Sequence, residues 1–360
     1  MRSMPFVTAA MMLAAGAGSA RADEEEAPKD DEPLSFAGRV FSRFTAASVE
    51  SDPWQGELTL DSARVAVNYV WKEKLRAKVA IEAARGVEVK DAFVDLKAGH
   101  GVSVRAGHFK LPVSALENAS AWTLPTIERG VVARALEDGI TLTGRRDAVQ
   151  VSWQPTDDGP RVIAALSQST STDGADPARA LADGAGVAAA LRVEHDLCPD
   201  LRVGVVASNR ETIDGSRVAR HWAGGADLEL DLKDAGLGLR LWADVLVGQS
   251  HLGAAAAGRE RTTFVATQAA AGWRFGGAKK NKPYLEPYVL GGFLNPSVDR
   301  KRDDVTEVIA GVAAGRWKKW RGQGQLSVVN ARGFRPAGLG GALVDVNDAV
   351  TATVQLGAAF

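Results

Sequence analysis

The sequence has little of what several classes of protein require. One cysteine in 360 residues excludes a disulfide framework and a cysteine-rich metal site. The 43 Lys and Arg nearly balance the 44 Asp and Glu, so no strong basic field points to nucleic acid as a partner. After residue 22, no apolar run approaches the roughly 18 residues that a transmembrane helix needs. What the chain does have is 38 glycines and many valines, which favour a fold made mostly of strands.

The first 22 residues have the features of a secretory signal peptide. Arg2 gives a positive start, residues 5–18 are apolar, and Ala20-Arg21-Ala22 puts small residues where a signal peptidase reads them. The alternative is a buried N-terminal helix. We expect the chain to be exported and this segment to be removed.

An acidic segment follows and separates the signal peptide from the rest. Residues 23–32 hold seven acidic residues and one lysine, a composition typical of disorder. Without the first 32 residues, which carry three basic and seven acidic residues, the formal charge rises from −1 to +3. We therefore expect a signal peptide at 1–22, a disordered periplasmic tail at 23–33 and a mildly cationic folded domain at 34–360.

Alternation of apolar and polar residues with period two recurs along residues 34–360. In residues 75–83 every second side chain is apolar and faces one way, while Arg76, Lys78 and Glu82 face the other. The pattern predicts sixteen strands. They are 34–44, 58–69, 75–84, 87–97, 102–109, 139–154, 161–169, 186–195, 201–209, 222–232, 237–248, 263–275, 284–293, 306–316, 323–330 and 350–360.

The connections between these strands alternate between short turns and long links, with 85–86 as the exception. Regular alternation of this kind is typical of an antiparallel transmembrane β-barrel, whose periplasmic turns are short and whose outer loops are long. Closure of the barrel leaves no unpaired strand edge in lipid. An even number of strands also places both ends of the barrel on the periplasmic side.

Aromatic residues gather beside the predicted periplasmic turns, where a girdle at headgroup level is expected. The chain also ends on Phe360 after an alternating strand, which resembles the signal that the outer-membrane assembly machinery reads. The alternative is that tryptophans simply scatter at strand ends. The aromatic residues in question are Trp71, Trp153, Phe275, Trp317, Trp320 and Phe360.

The most specific pattern lies between residues 87 and 134. Residues 87–97 read VEVKDAFVDLK, residues 104–112 read VRAGHFKLP, and residues 116–129 read LENASAWTLPTIER. This segment resembles the phosphate-selective porin O and P family. Its members share a strand pair, a turn with glycine, an aromatic residue, lysine and proline, and a long third loop that ends in Ile-Glu-Arg.

The resemblance implies a trimer of sixteen-stranded barrels in which the third loop, 110–138, folds inward as the constriction. Ser120 and Arg129 would match a hydroxyl and an arginine at the anion site of phosphate-specific members. Two departures weaken that match: Ala121 replaces a second serine, and Glu117 stands near an expected lysine. The candidate constriction and anion-binding residues are Lys110, Ser120, Arg129 and Arg134.

Basic residues cluster on the polar faces of the first five strands, which would form one wall of the lumen. Arginine keeps its charge and presents a planar fork of donors, and rings of such residues favour anions in a pore. The alternative is pairing with acids on neighbouring strands (Glu82, Asp91 and Asp95). An acidic stripe on a distant strand, at Asp227, Glu229 and Asp231, predicts a divided lumen. The predicted basic wall is Arg39, Arg43, Arg64, Arg76, Lys78 and Arg105.

Histidine and cysteine give no sign of catalysis or metal binding. His195 and Asp196 are adjacent, so on a strand their side chains point apart. The other histidines and Cys198 lack the spacing of metal ligands. We expect neither a cofactor nor a metal.

The sequence thus predicts an outer-membrane porin, a passive channel for small hydrophilic solutes that prefers anions, with phosphate or polyphosphate as candidate solutes. Expected partners are the bilayer and its lipopolysaccharide, two further copies in a homotrimer, small anions such as phosphate, and the assembly machinery. Nucleic acid is not expected. The alternatives are a non-selective general porin, a plugged structural barrel and an outer-membrane barrel enzyme.

Overall fold

The computed structural model describes residues 33–49, 52–84, 86–156, 158–169, 186–214, 217–232, 238–250, 262–276, 282–299, 304–316, 319–331 and 348–360. The predicted signal peptide and the acidic tail up to residue 32 lie outside the described residues.

The described chain forms a single antiparallel sheet that closes on itself. Of its seventeen strand segments, β12 and β13 are successive parts of one strand interrupted at Arg274, and both pair with β14. Sixteen strands therefore form the barrel, as predicted. They are β1 (Leu34–Val49), β2 (Gln55–Trp71), β3 (Leu75–Glu82), β4 (Glu88–Gly99), β5 (Val102–Lys110), β6 (Arg145–Trp153), β7 (Arg161–Ser169), β8 (Gly186–Cys198), β9 (Leu201–Asp214), β10 (Arg217–Asp231), β11 (Leu239–Ser250), β12 (Thr262–Trp273), β13 (Phe275–Gly276), β14 (Pro283–Asn295), β15 (Val305–Arg316), β16 (Trp320–Ala331) and β17 (Ala349–Ala359).

The first and last strands close the barrel. β1 pairs with β17 from Arg39 opposite Ala359 to Val49 opposite Ala349. One residue further, the Phe360 amide donates to the Gly38 carbonyl at 3.0 Å, and the Gly38 amide donates to the Phe360 carbonyl at 2.9 Å. The backbone ladder is thus continuous around the barrel, which is the condition for a sheet in lipid.

Alternation along each strand divides the residues between the two faces. Large apolar side chains point outward and are exposed, for example Leu58 at 68% and Leu356 at 65%. Polar side chains such as Gln323 and Arg192 point inward and are buried. The aromatic residues Trp71, Trp153, Phe275, Trp320 and Phe360 are exposed at strand ends beside the short turns, where the girdle was predicted. Trp317 lies outside the described residues.

The short turn between β4 and β5 depends on a glycine. Gly101 has φ +73°, in the left-handed region that side chains rarely adopt. A Cβ on Gly101 would lie 1.8 Å from the Gln154 carbonyl oxygen, at the end of β6. The close approach lets the Gln154 amide donate to the Gly101 carbonyl at 2.9 Å, which joins the turn to the neighbouring strand.

The predicted strands match the observed ones except at a few ends. β1, β9 and β10 run several residues further than predicted. The prediction of a long link at 210–221 is wrong, because β9 and β10 pair as far as Asp214 opposite Arg217. The prediction of strand 139–154 is wrong at its start, because β6 begins at Arg145. The residues before it form part of a long connection that holds α1 (Ala115–Asn118), α2 (Gly130–Arg134) and a π-helix (Ala135–Gly139). None of the helices in the described residues is long and apolar enough to cross a membrane.

Candidate pore constriction

The connection between β5 and β6, residues 111–144, folds into the barrel instead of extending outward. We call it the constriction loop. Its apolar side chains pack against inward-facing side chains of β10 to β15 and form a small core inside the bore. Burying each such side chain contributes about 1.5–3 kcal/mol. The buried apolar residues of the loop are Leu111, Val113, Leu116, Trp122, Leu124, Val131, Val132, Ala133, Ala135, Leu136, Ile140 and Leu142.

The first helix of the loop begins where a serine can cap it. The Ser114 hydroxyl accepts from the Glu117 amide at 3.0 Å, the N-cap bond that satisfies a free amide at a helix start. The same hydroxyl donates to the Asp244 carboxylate on β11 at 2.6 Å. The cap therefore also ties the start of the loop to a wall strand.

Across the bore, Arg321 near the start of β16 holds the middle of the loop. Its side chain is buried, and its two terminal nitrogens donate to four main-chain carbonyls at 3.1–3.3 Å. Hydrogen bonds from a charged donor contribute about 1.5–3 kcal/mol each. The acceptors are the carbonyl oxygens of Ala121, Trp122, Pro125 and Thr126.

Further polar side chains of β15 and β16 continue this anchor toward the outer end. The Gln323 amide donates to the Pro125 carbonyl at 2.6 Å, and the Gln325 side-chain oxygen accepts from the Ile127 amide at 3.0 Å. Glu307 accepts from the amide of Val131 at 2.5 Å. These contacts, like those of Arg321, are made to the main chain of the loop.

Two of the predicted anion-site residues are engaged within the loop. The Lys110 ammonium donates to the Glu117 carbonyl and lies 3.4 Å from its carboxylate. Arg129 donates to the Ala119 carbonyl at 2.6 Å and lies 3.8 Å from the Glu117 carboxylate. Glu117 is only 3% exposed. Its carboxylate therefore pairs with two cations beneath the surface of the loop instead of repelling anions from the lumen.

The other two predicted constriction residues lie apart from this cluster. The Ser120 hydroxyl accepts from the Trp122 amide at 3.2 Å and so supports the local turn. Arg134 keeps 58% of its side chain exposed and lies 3.9 Å from Glu128. Glu128 also accepts a hydrogen bond from Arg43 on β1, so the loop contacts the first strand of the predicted basic wall at this point.

The predicted basic wall is present, and most of it is paired with carboxylates. Its six basic side chains face four carboxylates on the same strands, so the formal charge of these ten groups is +2. Arg39 and Arg76 also lie over aromatic rings, at 5.7 Å from the centroids of Phe41 and Phe93. The pairs are Arg43 with Asp61 (2.7 Å), Arg64 with Glu82 (3.4 Å), Lys78 with Asp91 (3.9 Å) and Arg105 with Asp95 (2.6 Å).

The prediction of a separate acidic wall is wrong. The three carboxylates of the predicted stripe alternate in space with arginines of β8, β9 and β11, because neighbouring strands place opposite charges side by side. Two arginines also share Glu286 nearby, Arg240 at 3.1 Å and Arg274 at 2.8 Å. The pairs are Asp227 with Arg192 (2.5 Å), Glu229 with Arg202 (4.0 Å) and Asp231 with Arg240 (3.8 Å).

Sequence reasoning missed the residues that hold the loop and some that border the aperture. Gln323 and Gln325 occupy the polar face of a predicted strand, whereas Arg321 lies in the turn predicted just before it. The continuation of the same polar alternation back to Arg321 was the available signal. Asp61 sits at a bulge of β2, where the register shifts opposite Phe41 and Ser42, so strict alternation could not identify its face. Arg145, which pairs with Asp91 at 2.9 Å, lay inside a strand predicted to start too early.

The chemistry available at the constriction is that of charged side chains around an aperture. Within the part of the chain that the structure describes, no three His, Cys, Asp or Glu side chains are placed to hold a metal ion. The arrangement can attract or repel ions and limit the size of what passes.

Comparison with known families confirms the resemblance read from the sequence. The family model for phosphate-selective porin O and P matches residues 52–195, a range that contains β2 to β5 of the basic wall and the whole constriction loop. A comparison with curated proteins gives no match.

Solved porin structures share the fold across nearly the whole chain. The anion-selective porin from Comamonas acidovorans is 13% identical, with a TM-score of 0.58 over 91% of this chain and 99% of that one. The outer membrane channel DcaP of Acinetobacter baumannii is 9% identical, with a TM-score of 0.62 over 91% and 97%. OmpT of Vibrio cholerae in its trimer form is 13% identical, with a TM-score of 0.56 over 91% and 99%. The chain therefore has the fold of an outer-membrane porin.

Proposed function

We propose that the chain forms a passive, water-filled channel through the outer membrane, which admits small hydrophilic solutes and prefers anions. The observation that carries this proposal is the constriction loop, which narrows the bore beside a wall with more positive than negative charge. The family match and the fold favour a channel over an outer-membrane enzyme.

Solute selection would rest on size and on a modest electrostatic bias. The loop sets the width of the aperture, and the basic wall attracts anions to it because charge in a narrow, partly dehydrated pore acts at a lower effective dielectric than in bulk water. Arg134 and Glu128 are charged loop residues whose side chains are 58% and 35% exposed. The excess of positive charge is small, so we infer a preference for anions and not an exclusion of cations.

Strict phosphate selectivity has less support. Lys110 and Arg129, two of the predicted constriction and anion-binding residues, are bound to Glu117 and to main-chain carbonyls. Strong binding of a multiply charged anion requires N–H donors that are not already hydrogen-bonded to other acceptors. We therefore propose that phosphate passes as one anion among others and binds weakly at the rim, near Arg134.

We propose a homotrimer embedded in lipid and lipopolysaccharide, with each barrel acting as its own pore. The trimer form of the similar Vibrio cholerae protein supports this assembly. The exposed Phe360, at the end of the closing strand, supports recognition by the outer-membrane assembly machinery.

Single-channel recording of the purified protein in planar bilayers tests these proposals. We expect conductance steps in threes, a reversal potential biased toward chloride under a KCl gradient, and only weak block by added phosphate. A cation-biased reversal potential would contradict the anion preference. Strong block by phosphate would contradict the proposal of weak binding.

A plugged barrel is the second candidate, and one observation favours it. The loop contacts strands spread around the bore: Ser114 donates to Asp244 on β11, Arg321 of β16 donates to carbonyls in the middle of the loop, and Trp122 packs on Phe41 of β1 with ring centroids 5.2 Å apart. Absence of conductance from correctly folded trimers would favour this candidate over the channel.

A further inference from the structure

Three lysines lie at the short-turn end of the barrel, beside the point where the described chain begins. The Pro33 carbonyl accepts from the Val70 amide at 2.8 Å, so the chain enters the barrel next to the turn between β2 and β3. Lys72 and Lys74 lie in that turn, and the Lys97 amide near the end of β4 donates to the Lys74 carbonyl at 2.8 Å. We call Lys72, Lys74 and Lys97 the lysine cluster.

The lysine cluster carries positive charge that the described residues do not neutralise. All three lysines are exposed, and within the part of the chain that the structure describes none of them forms an ion pair. Three lysines and the neighbouring Glu73 give a formal charge of +2. By contrast, Lys78 on β3 and Lys90 on β4 lie 3.9 and 2.6 Å from carboxylates. The cluster is therefore a surface with an anionic partner still to be found.

The turn between β2 and β3 holds its charged residues at a conformational cost. Its central residues Lys72 and Glu73 have φ of 48° and 53°, and the Lys74 amide donates to the Trp71 carbonyl at 3.0 Å. Positive φ at both central residues is the pattern of a type I′ hairpin turn, which favours Asn-Gly or Asp-Gly because larger side chains are strained there. Strained residues of this kind cluster where a protein contacts a partner.

The chain itself supplies an anionic segment directly before Pro33. Residues 23–32 follow the predicted signal peptide, lie outside the described residues, and hold seven acids and one lysine. Three of the acids are at 30–32 and four are at 23–26. An extended residue spans about 3.5 Å and neighbouring strands lie about 4.8 Å apart. Residues 30–32 are therefore long enough to reach the turn after β2, and residues 23–26 to reach β4.

We propose that residues 23–32 dock on the lysine cluster of their own barrel. Each exposed pair of a carboxylate with an ammonium group is weak by itself. The attachment at Pro33 keeps the segment at an effective concentration in the millimolar range, and one contact holds the other acids near the remaining lysines. This attachment favours the chain's own segment over a lipid headgroup or a neighbouring copy. Docking would place carboxylates at the end of the strands that carry the basic wall.

Carbodiimide cross-linking of the full-length protein, purified from outer membranes in detergent, tests the proposal. The reagent joins a carboxylate to an amine only when the two groups are in contact. In about 0.1 M KCl we expect links from residues 23–32 to each lysine of the cluster, identified by mass spectrometry. Their yield should fall about fivefold or more in 1 M KCl, because the Debye length shrinks from about 10 Å to about 3 Å. Absence of these links would overturn the proposal.

A double variant separates docking from loss of the reactive amines. Lys72→Gln combined with Lys97→Gln leaves Lys74 in place, and the yield of its link should fall about threefold or more because two of the three lysine charges are gone. Lys90→Gln, at the opposite end of β4, removes a lysine that pairs with Glu88 and should leave that yield unchanged. An unchanged yield in the double variant would contradict docking on the cluster.

Mixed refolding tests whether the segment and the lysines belong to the same barrel. Barrels refolded together from isotope-labelled and unlabelled chains should give links only between residues of the same label. Links between the two labels would overturn docking within one chain and assign the cluster to the segment of a neighbouring copy. None of these results bears on conductance, so failure here is distinct from failure of the channel proposal.

Discussion

At the level of single residues, the charges of this barrel work mainly in pairs. Glu117 holds Lys110 and Arg129 beneath the surface of the constriction loop, and Arg105 is joined to Asp95 by two hydrogen bonds of 2.6 and 2.9 Å. A charge that is paired with an opposite charge contributes little to the electrostatic potential in the lumen. The proposed preference for anions therefore rests on a small excess of positive charge. Removal of one member of a charge pair should change this preference measurably.

Arg105→Gln should shift the pore toward cations, because it leaves the Asp95 carboxylate without its partner. A unit charge about 8 Å from an ion in water is worth about 0.5 kcal/mol. Its loss disfavours chloride and favours potassium by that amount each, so the chloride-to-potassium permeability ratio should fall about fivefold. The reversal potential under a KCl gradient measures this ratio. The matched control is Arg202→Gln, which breaks a similar pair with Asp196 near the turn between β8 and β9. An equal shift in the control would contradict a local effect.

Glu117→Gln should destabilise the barrel by about 3 kcal/mol or more, because it leaves Lys110 and Arg129 without their shared carboxylate in a buried site. Urea unfolding of the refolded protein measures the change. In the control Glu88→Gln, the exposed pair with Lys90 is lost, and the change should stay below about 1 kcal/mol. Equal losses would show that Glu117 is not a structural partner.

At the level of elements, the strands follow from local pattern, whereas the constriction loop does not. Period-two alternation locates the strands because lipid and water on opposite faces impose it on each strand separately. The loop is a small soluble-type core inside the bore. Its segment Ile140-Thr141-Leu142-Thr143 alternates like a strand although it forms a turn, and this explains the early predicted start of β6.

The partners of each charged residue could not be predicted for a related reason. Pairing across strands depends on register and on bulges, and a shift of one residue exchanges the faces. The family resemblance indicated which loop enters the bore, and that expectation agrees with the structure. It could not indicate that Glu117 turns inward to hold Lys110, because the family pattern has no carboxylate there.

Arg321→Met should loosen the constriction loop. The variant keeps the length of the side chain but loses four hydrogen bonds to loop carbonyls, and a net loss of about 3 kcal/mol raises the detached population about 100-fold. We expect a larger and noisier unit conductance. Arg316→Met, at the exposed end of β15 beside the same turn, is the control and should conduct like the parent. Unchanged conductance in Arg321→Met would mean that the loop stays in place without this anchor.

At the level of the whole molecule, closure between β1 and β17 joins the two ends of the barrel. The two backbone hydrogen bonds between Gly38 and Phe360 complete this seam, and the Phe360 ring lies over Gly38, where a Cβ would meet it at 2.2 Å. The ring also stays partly exposed to the surroundings. The role of Phe360 in closing the barrel and its proposed role in recognition by the assembly machinery can therefore be tested separately.

Phe360→Ala should fold normally in detergent but assemble poorly in cells. The backbone bonds of the seam remain, so stability should change by only about 1 kcal/mol, whereas abundance in the outer membrane should fall several-fold. Heat-modifiable gel mobility and membrane fractionation measure the two quantities. Trp320→Ala, which removes an exposed aromatic residue one strand away, is the control. Equal abundance of the two variants would contradict a special role for the terminal residue.

The anchoring of the constriction loop also sets the order in which the molecule can be built. Ile127 and Gln325 are 198 residues apart in the chain, and Arg321 reaches back across a similar separation. Contacts between residues so far apart in the sequence form only after most of the chain is in place. Closing a long stretch of chain costs more conformational entropy than forming a local contact. The loop can therefore reach its fully anchored position only after β15 and β16 are in place.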